Sequence, residues 1–294
     1  MFFKRKSFNM LVLLVALCLF VFTFSGCGAV SDNGEQGEQT SVGQPSGDSG
    51  NRDITGSINV VGSTSVQPVS DLLAEAFMND NPDATVHVQG GGSTTGIRAA
   101  DDGAAEIGAT SRDLYEDEKH LEEYVIGQDG IAVVVHPSSN VSDLSLEDIK
   151  NIYAGDITSW SEVGDSEESI HVVTREEGSG TRGAFEDIVM GDNSIHDRSI
   201  VQNSTGAIAS TVAGDENAIG YISLAALDEN VKALKVGGAE ATSENIASGS
   251  YEVSRPFIYV TKGAPSELAE SFLDYVMSPE AQSVIEEAGL ISVN

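Results

Sequence analysis

IHVVTREEGSGTRGAF, residues Ile170–Phe185, passes from a β-branched run into a glycine-and-hydroxyl loop and then into helical spacing. Two other stretches have the same grammar. VGSTS (Val61–Ser65) follows the apolar run Ile58–Val61, and GGGSTTG (Gly90–Gly96) follows Thr85–Val88. A loop of this kind ends at a helix start, where backbone N–H groups lack intrahelical acceptors and the helix dipole favours negative charge. A single such loop is an ordinary cap or turn. Three in one chain point to a shared anion site.

Around these loops the pattern alternates. Strands are expected at Ile58–Val61, Thr85–Val88, Glu106–Ala109, Gly130–His136, Ile170–Val173, Ala218–Ile222, Val231–Val236 and Pro256–Thr261. Helices are expected at Val66–Met78, Thr94–Ala100, Ser145–Tyr153, Thr181–Met190, Thr205–Ala213, Ser266–Met277 and Pro279–Ala288. Such alternation predicts an α/β fold with mostly parallel sheets and flanking helices. Open parallel sheets bind ligands beyond the carboxyl ends of their strands. The third loop is separated from the first two by GIAVVVH, so one site using all three is most easily built in a cleft between two lobes. The expected division is residues 53–134 with 254–294 in one lobe and 135–253 in the other, hinged where the chain crosses.

Composition narrows the function. The formal charge is −31, and the basic residues Lys4, Arg5 and Lys6 stand in a leader-like segment without acids. A chain this acidic is a poor partner for nucleic acid or anionic lipid. It also cannot draw an anion from a distance, so an anion site must act through local donors. Residues 1–26 read as a signal: a basic start, an apolar run from Met10 to Phe24, then Ser25-Gly26 before Cys27. Cys27 is the lipidation candidate. An uncleaved anchor is the alternative, because the apolar run is nearly long enough to span a bilayer. Cys18 lies within the signal, so processing leaves no disulfide. Residues 27–52 hold no aromatic and almost no aliphatic side chain, which predicts a flexible acidic tether.

Among the motifs, Arg175, Ser179, Gly180 and Thr181 form the most specific group: a guanidinium beside N–H and hydroxyl donors receives a tetrahedral oxyanion. An empty cleft should leave Arg175 in water. Arg112, after Glu106–Ala109, either reaches the same point or pairs with Asp113 or Glu116. Gly178, Gly180 and Gly183 match a dinucleotide fingerprint, but no strand ending in an acid follows at the required distance, and the match is discounted. The five histidines are scattered, and no metal-ligand spacing is present. Trp160 reads as a packing anchor.

GSTSVQPV, GGGSTTGIRAA, EIGATSR, GIAVVVHP, LSLEDIKNIYAGDITSW, TREEGSGTRGAF, NAIGYISLAAL and FLDYVMSPEAQ together resemble the phosphate-binding lipoproteins of ABC importers. The likeness covers about residues 54–294. It implies a two-lobed periplasmic-binding-protein fold closing on one phosphate. By position it implies contacts from Thr64, Ser65, Ser93, Arg175, Ser179, Gly180 and Thr181, with Arg112 as a further contact. It implies no enzymatic activity and no cofactor or metal. The implied partners are inorganic phosphate and the permease and ATPase subunits of an importer, for a monomer lipid-anchored on the outer face of the cell membrane. Sulfate or another tetrahedral oxyanion is the alternative ligand, and a secreted phosphate-ester hydrolase the remoter alternative. In many members an aspartate accepts the phosphate proton where this chain has Arg112, which leaves Asp113 and Glu176 as candidate acceptors.

The leader reading has a direct check. Cys27→Ala should release the protein into the medium or leave the precursor uncleaved; a fractionation and immunoblot showing unchanged processing and membrane retention would count against lipidation.

Overall fold

The computed structural model describes residues 54–293. The expected signal (1–26), the tether (27–52) and Cys27 lie outside the described residues. In chain order the elements are β1 (Gly56–Gly62), α1 (Gln67–Asp80), β2 (Ala84–Gly90), α2 (Ser93–Asp101), β3 (Ile107–Thr110) and β4 (Glu122–Val135). They continue with β5 (Asp143–Leu144), α3 (Leu146–Ala154), β6 (His171–Arg175), α4 (Gly180–Phe185), β7 (Ile200–Gln202), α5 (Thr205–Ala213) and β8 (Ala218–Ser223). The last are β9 (Lys232–Ala233), β10 (Lys235–Val236), α6 (Ser243–Ala247), β11 (Ser254–Thr261), α7 (Glu267–Val276) and α8 (Pro279–Glu287).

Local chemistry explains many of these boundaries. Ser145 accepts a hydrogen bond from the Asp148 N–H while the Asp148 carboxylate bonds back to Ser145, a reciprocal cap that starts α3. Gly155, at φ +83°, ends it in a left-handed conformation that favours glycine. Ser278 caps α8 just before Pro279, whose missing N–H costs nothing in a first turn.

The main sheet runs β2-β1-β3-β11-β4-β8-β6-β7, with β9 added to β4. Its outer pairings, β2 with β1, β1 with β3, β8 with β6 and β6 with β7, are parallel. Every antiparallel pairing of this sheet involves β4 or β11. The first part of β4 lies beside β11 (Glu122 opposite Thr261 to Gly130 opposite Ser254), and its last five residues lie beside β8.

The hydrophobic interior divides at the same place. One large core contains Ile58, Leu73, Phe77, Ile126, Phe257 and Phe272; the other large core begins at Ile131 and ends at Val253, and a small third cluster joins Ile97 and Ala100 of α2 to Ile258 and Val260 of β11. Trp160 packs in the second, only 2% exposed, and its Nε1–H bonds to the Asn217 carbonyl at 3.1 Å.

Several elements differ from the sequence-based expectation. GIAVVVH is only the end of a longer strand, since β4 begins at Glu122. The polar residues before Gly130 concealed it, and pairing with β11 is what extends it. The expected strand Val231–Val236 is two short pieces: β9 joins β4, whereas β10 joins β5. Helix Thr181–Met190 is α-helical only to Phe185 and finishes as a wider π turn. The two- to five-residue elements β5, β7 and α6 are too short to show a periodicity.

Between the cores, β4 and β11 place Asp129 directly opposite Arg255. The two side chains, 0% and 1% exposed, pair at 2.9 Å, and the Ser223 hydroxyl donates to the second Asp129 oxygen at 3.0 Å. Burial pushes the Asp129 carboxyl above the usual carboxylate range despite the opposing pull of Arg255. Removing one member of a buried pair strands the other charge, so Asp129→Ala should cost about 3–5 kcal/mol. Replacing both at once with leucine and methionine should recover most of that loss, as read from urea denaturation.

Candidate anion site

Five loops converge at the carboxyl ends of β1, β2, β3, β6 and β7. From the first core come Ser63-Thr64-Ser65 ahead of α1, Ser93 at the start of α2, and Ser111 after β3. Glycine lets α2 lie on bare backbone: a Cβ on Gly96 would stand 2.3 Å from the Val61 carbonyl oxygen, and one on Gly108 would stand 2.5 Å from the Gly96 oxygen. That contact seats Ser93, which is fully buried. Its Oγ accepts from the Ser111 N–H at 3.1 Å, and Ser111 Oγ accepts from the Ser63 hydroxyl at 2.9 Å.

From the second core come Arg175 at the end of β6, Ser179-Gly180-Thr181 at the start of α4, and Thr205 at the start of α5. Ser179 Oγ caps α4 by accepting from the Arg182 N–H at 3.3 Å. By helix geometry the Gly180 and Thr181 N–H groups, first in the helix, have no intrahelical acceptor.

The two sets meet directly. Ser65 Oγ lies 2.8 Å from Thr181 Oγ1 and 2.8 Å from Thr205 Oγ1. The Thr205 N–H donates to Thr64 Oγ1 at 3.2 Å, and the Thr94 N–H donates to the Gly178 carbonyl at 3.0 Å. The glycines dismissed as a dinucleotide fingerprint explain how the loops approach. A Cβ on Gly178 would meet Thr94 at 3.3 Å, one on Gly180 would meet Ser93 Oγ at 2.2 Å, and one on Gly183 would meet the Tyr115 hydroxyl at 3.1 Å. Each clears a side chain of the opposite half.

Arg175 is only 2% exposed, not left in water as the sequence reading expected. Its Nε and Nη2 hold the two oxygens of Glu176 at 2.9 and 3.0 Å, and Nη1 donates to Thr205 Oγ1 at 3.3 Å. Behind it the Tyr221 hydroxyl accepts from the Arg175 N–H and lies 2.7 Å from Thr174 Oγ1. Burial pushes that phenol up to about 12. The Tyr221 ring stacks on Phe185 at 4.1 Å, which braces the strand end that carries Arg175.

The structure therefore brings Thr64, Ser65, Ser93, Arg175, Gly180 and Thr181 into one neighbourhood, with Ser179 as the cap beside them. Arg112 is differently engaged. Its two terminal nitrogens grip Glu118 at 2.7 and 2.8 Å, its guanidinium stacks 3.7 Å from the Tyr115 ring centroid, and it reaches only the main-chain carbonyl of Asp113. Neither pairing partner expected from sequence is the one observed, because the turn after Tyr115 folds Glu118 back. Burial works to raise the Glu118 carboxyl, but Arg112 and the Tyr115 N–H outweigh it and hold the group below the usual range. Of the two candidate proton acceptors, Asp113 is exposed and Glu176 is committed to Arg175.

Ser63 and Ser111 stand in loops that the sequence already offers as donors; the residue it does not single out is Thr205, which is 3% exposed. The signal was present: Asn203-Ser204-Thr205-Gly206 follows a strand and opens a helix like the other loops. That strand, β7, is three residues long, too short to announce the loop that follows it.

The chain as a whole is similar to known proteins. A family model described as the PBP superfamily domain matches residues 34–280. The phosphate-binding protein PstS of Bacillus subtilis is 31% identical over 97% of this chain and 94% of its own length. A solved structure of a putative phosphate ABC transporter substrate-binding protein from Clostridium perfringens, with bound phosphate, is 44% identical. It covers 81% of this chain and all of its own, at a TM-score of 0.79. An ABC-type phosphate transport receptor from Vibrio cholerae is 37% identical over the same share of this chain and all of its own, at a TM-score of 0.67. From its fold, its converging loops and these likenesses, the chain belongs to the PBP superfamily, within the family of phosphate-binding proteins of ABC importers.

Proposed function

We propose that this protein captures inorganic phosphate between its two halves and delivers it to the permease and ATPase subunits of an ABC importer. The observation that carries the reading is the meeting of Ser65 with Thr181 and Thr205 beside the buried Arg175, with one set of donors from each core. The contacts are Thr64, Ser65, Ser93, Arg175, Ser179, Gly180 and Thr181. Arg112 joins them only if it exchanges Glu118 for the anion. The division into residues 53–134 with 254–294 and residues 135–253 is part of this reading. The protein acts as a monomer without enzymatic activity, anchored by lipid on Cys27 at the outer face of the membrane.

The energetics are sufficient. Six to eight donors to a charged acceptor, at about 1.5–3 kcal/mol each, exceed the roughly 8 kcal/mol of a micromolar site. The remainder offsets desolvation and closure. Excluding water between the lobes lowers the local dielectric and strengthens each bond. Release then requires the importer to separate the lobes.

Calorimetry should show phosphate binding with sulfate markedly weaker; no heat with phosphate would sink the reading. Arg175→Ala should weaken phosphate binding by roughly 2–5 kcal/mol, and Arg175→Lys should recover only part, since an ammonium cannot reproduce the fork. Closure has its own test. Gly183→Val puts a branched side chain where the Tyr115 hydroxyl and Arg112 Cδ approach to 3.1 and 3.2 Å of a Cβ. With saturating phosphate its radius of gyration by small-angle scattering should exceed that of the parent. Equal profiles would mean that the halves do not close on this surface.

A further inference from the structure

Thr205 ties the cationic end of the site to its hydroxyls, and its chemistry gives that tie a direction. Its oxygen stands 3.3 Å from Arg175 Nη1, 2.8 Å from Ser65 Oγ and 3.4 Å from Thr64 Oγ1. Ser65 Oγ in turn stands 2.8 Å from Thr181 Oγ1. A guanidinium only donates, whereas each hydroxyl carries one proton and can accept. Arg175 therefore donates to Thr205, and a lone pair of Thr205 faces the arginine. The string Thr205–Ser65–Thr181 holds three hydroxyl protons but only two contacts between them, so one proton is left over. With the guanidinium at the Thr205 end, protons pointing away from the arginine place each dipole favourably in its field. In that arrangement Thr205 donates to Ser65 and Ser65 donates to Thr181, leaving the Thr181 proton free. Hydrogen bonds aligned in this way polarise one another. The spare proton then sits on the first turn of α4, beside the N–H groups of Gly180 and Thr181.

We propose that Thr205 is a positioning residue: it relays the polarity of Arg175 through Ser65 to Thr181, so that Thr181 presents a proton to the bound oxyanion. This deepens the phosphate reading and rests on it. The relay crosses between the cores twice, from Thr205 to Ser65 and back to Thr181, so it is complete only when the two halves meet. In the relay Ser65 gives its one hydroxyl proton to Thr181, so it serves the anion through that link and not by donating to it, and the buried Thr205 hydroxyl has a use without touching the anion.

The experiment is calorimetry with inorganic phosphate on the full chain, its alanine-free variants Thr205→Val, Thr205→Ser and Thr181→Val, and the double variant Thr205→Val/Thr181→Val. Thermal melting without phosphate checks that each is folded. Thr205→Val keeps the shape and removes the relay, and should weaken binding about tenfold or more, the scale of one hydrogen bond to a charged group. Thr205→Ser should restore most of the affinity. Thr181→Val should likewise cost about tenfold in the parent but less than about threefold in the Thr205→Val background, because the proton it removes is no longer aligned. Independent, multiplying losses would overturn the relay, as would parental affinity in Thr205→Val. If the parent itself failed to bind phosphate, the phosphate reading would fall and the relay with it. Tight binding by the parent with multiplying losses overturns the relay alone.

Discussion

Antiparallel pairing of β4 with β11 is the constraint on which the rest of the molecule depends. These strands carry the chain between two separate hydrophobic cores, and the five site loops divide between those cores. Parallel β-α units cannot by themselves bring the ends of β1 and β6 face to face, because each packs within its own half. The crossing strands set that relation. At their centre Asp129 and Arg255 are fully buried opposite each other, and Nε and Nη1 of Arg255 have no hydrogen-bond partner among the described residues. A buried ion pair is weak evidence of stability; what it adds is a cost to misregister, since a register slip would separate two charges in a dry environment.

The site reconciles an acidic protein with an anionic ligand. A formal charge of −31 repels anions at long range, yet repulsion between exposed charges is screened beyond about 10 Å at 0.1 M salt. The donors proposed for the site act at short range: hydroxyls, helix-start N–H groups and one guanidinium. The nearby arginines are each matched to a carboxylate, Arg175 to Glu176, Arg112 to Glu118 and Arg182 to Glu186. These pairs hold the guanidinium planes in place before any ligand arrives, which lowers the entropic cost of organising them. Glycine supplies the remaining requirement. At Gly180 any side chain would collide with Ser93 and Ser111, so the two halves can meet only over bare backbone.

Much of this was legible in the chain itself. The strand-to-helix switches at Ser65, Ser93 and Thr181 are local events, written in β-branched runs, glycines and hydroxyl caps, and the helices after them start within a residue or two of expectation. The α/β class and the expectation of an anion site follow from those local signals. Which hydroxyls touch was not legible. Ser65 meets Thr205 across 140 residues and Thr181 across 116, distances at which no periodicity or spacing carries information. The same is true of Arg112, whose partner depends on how the turn at Tyr115 returns Glu118, and of Arg175, which is buried with Thr205 and Tyr221 as partners 30 and 46 residues away. Sequence determined where each donor begins, because a helix start is built from its own neighbours. Tertiary structure alone decided which donors share a point, because that depends on two cores meeting across a hinge.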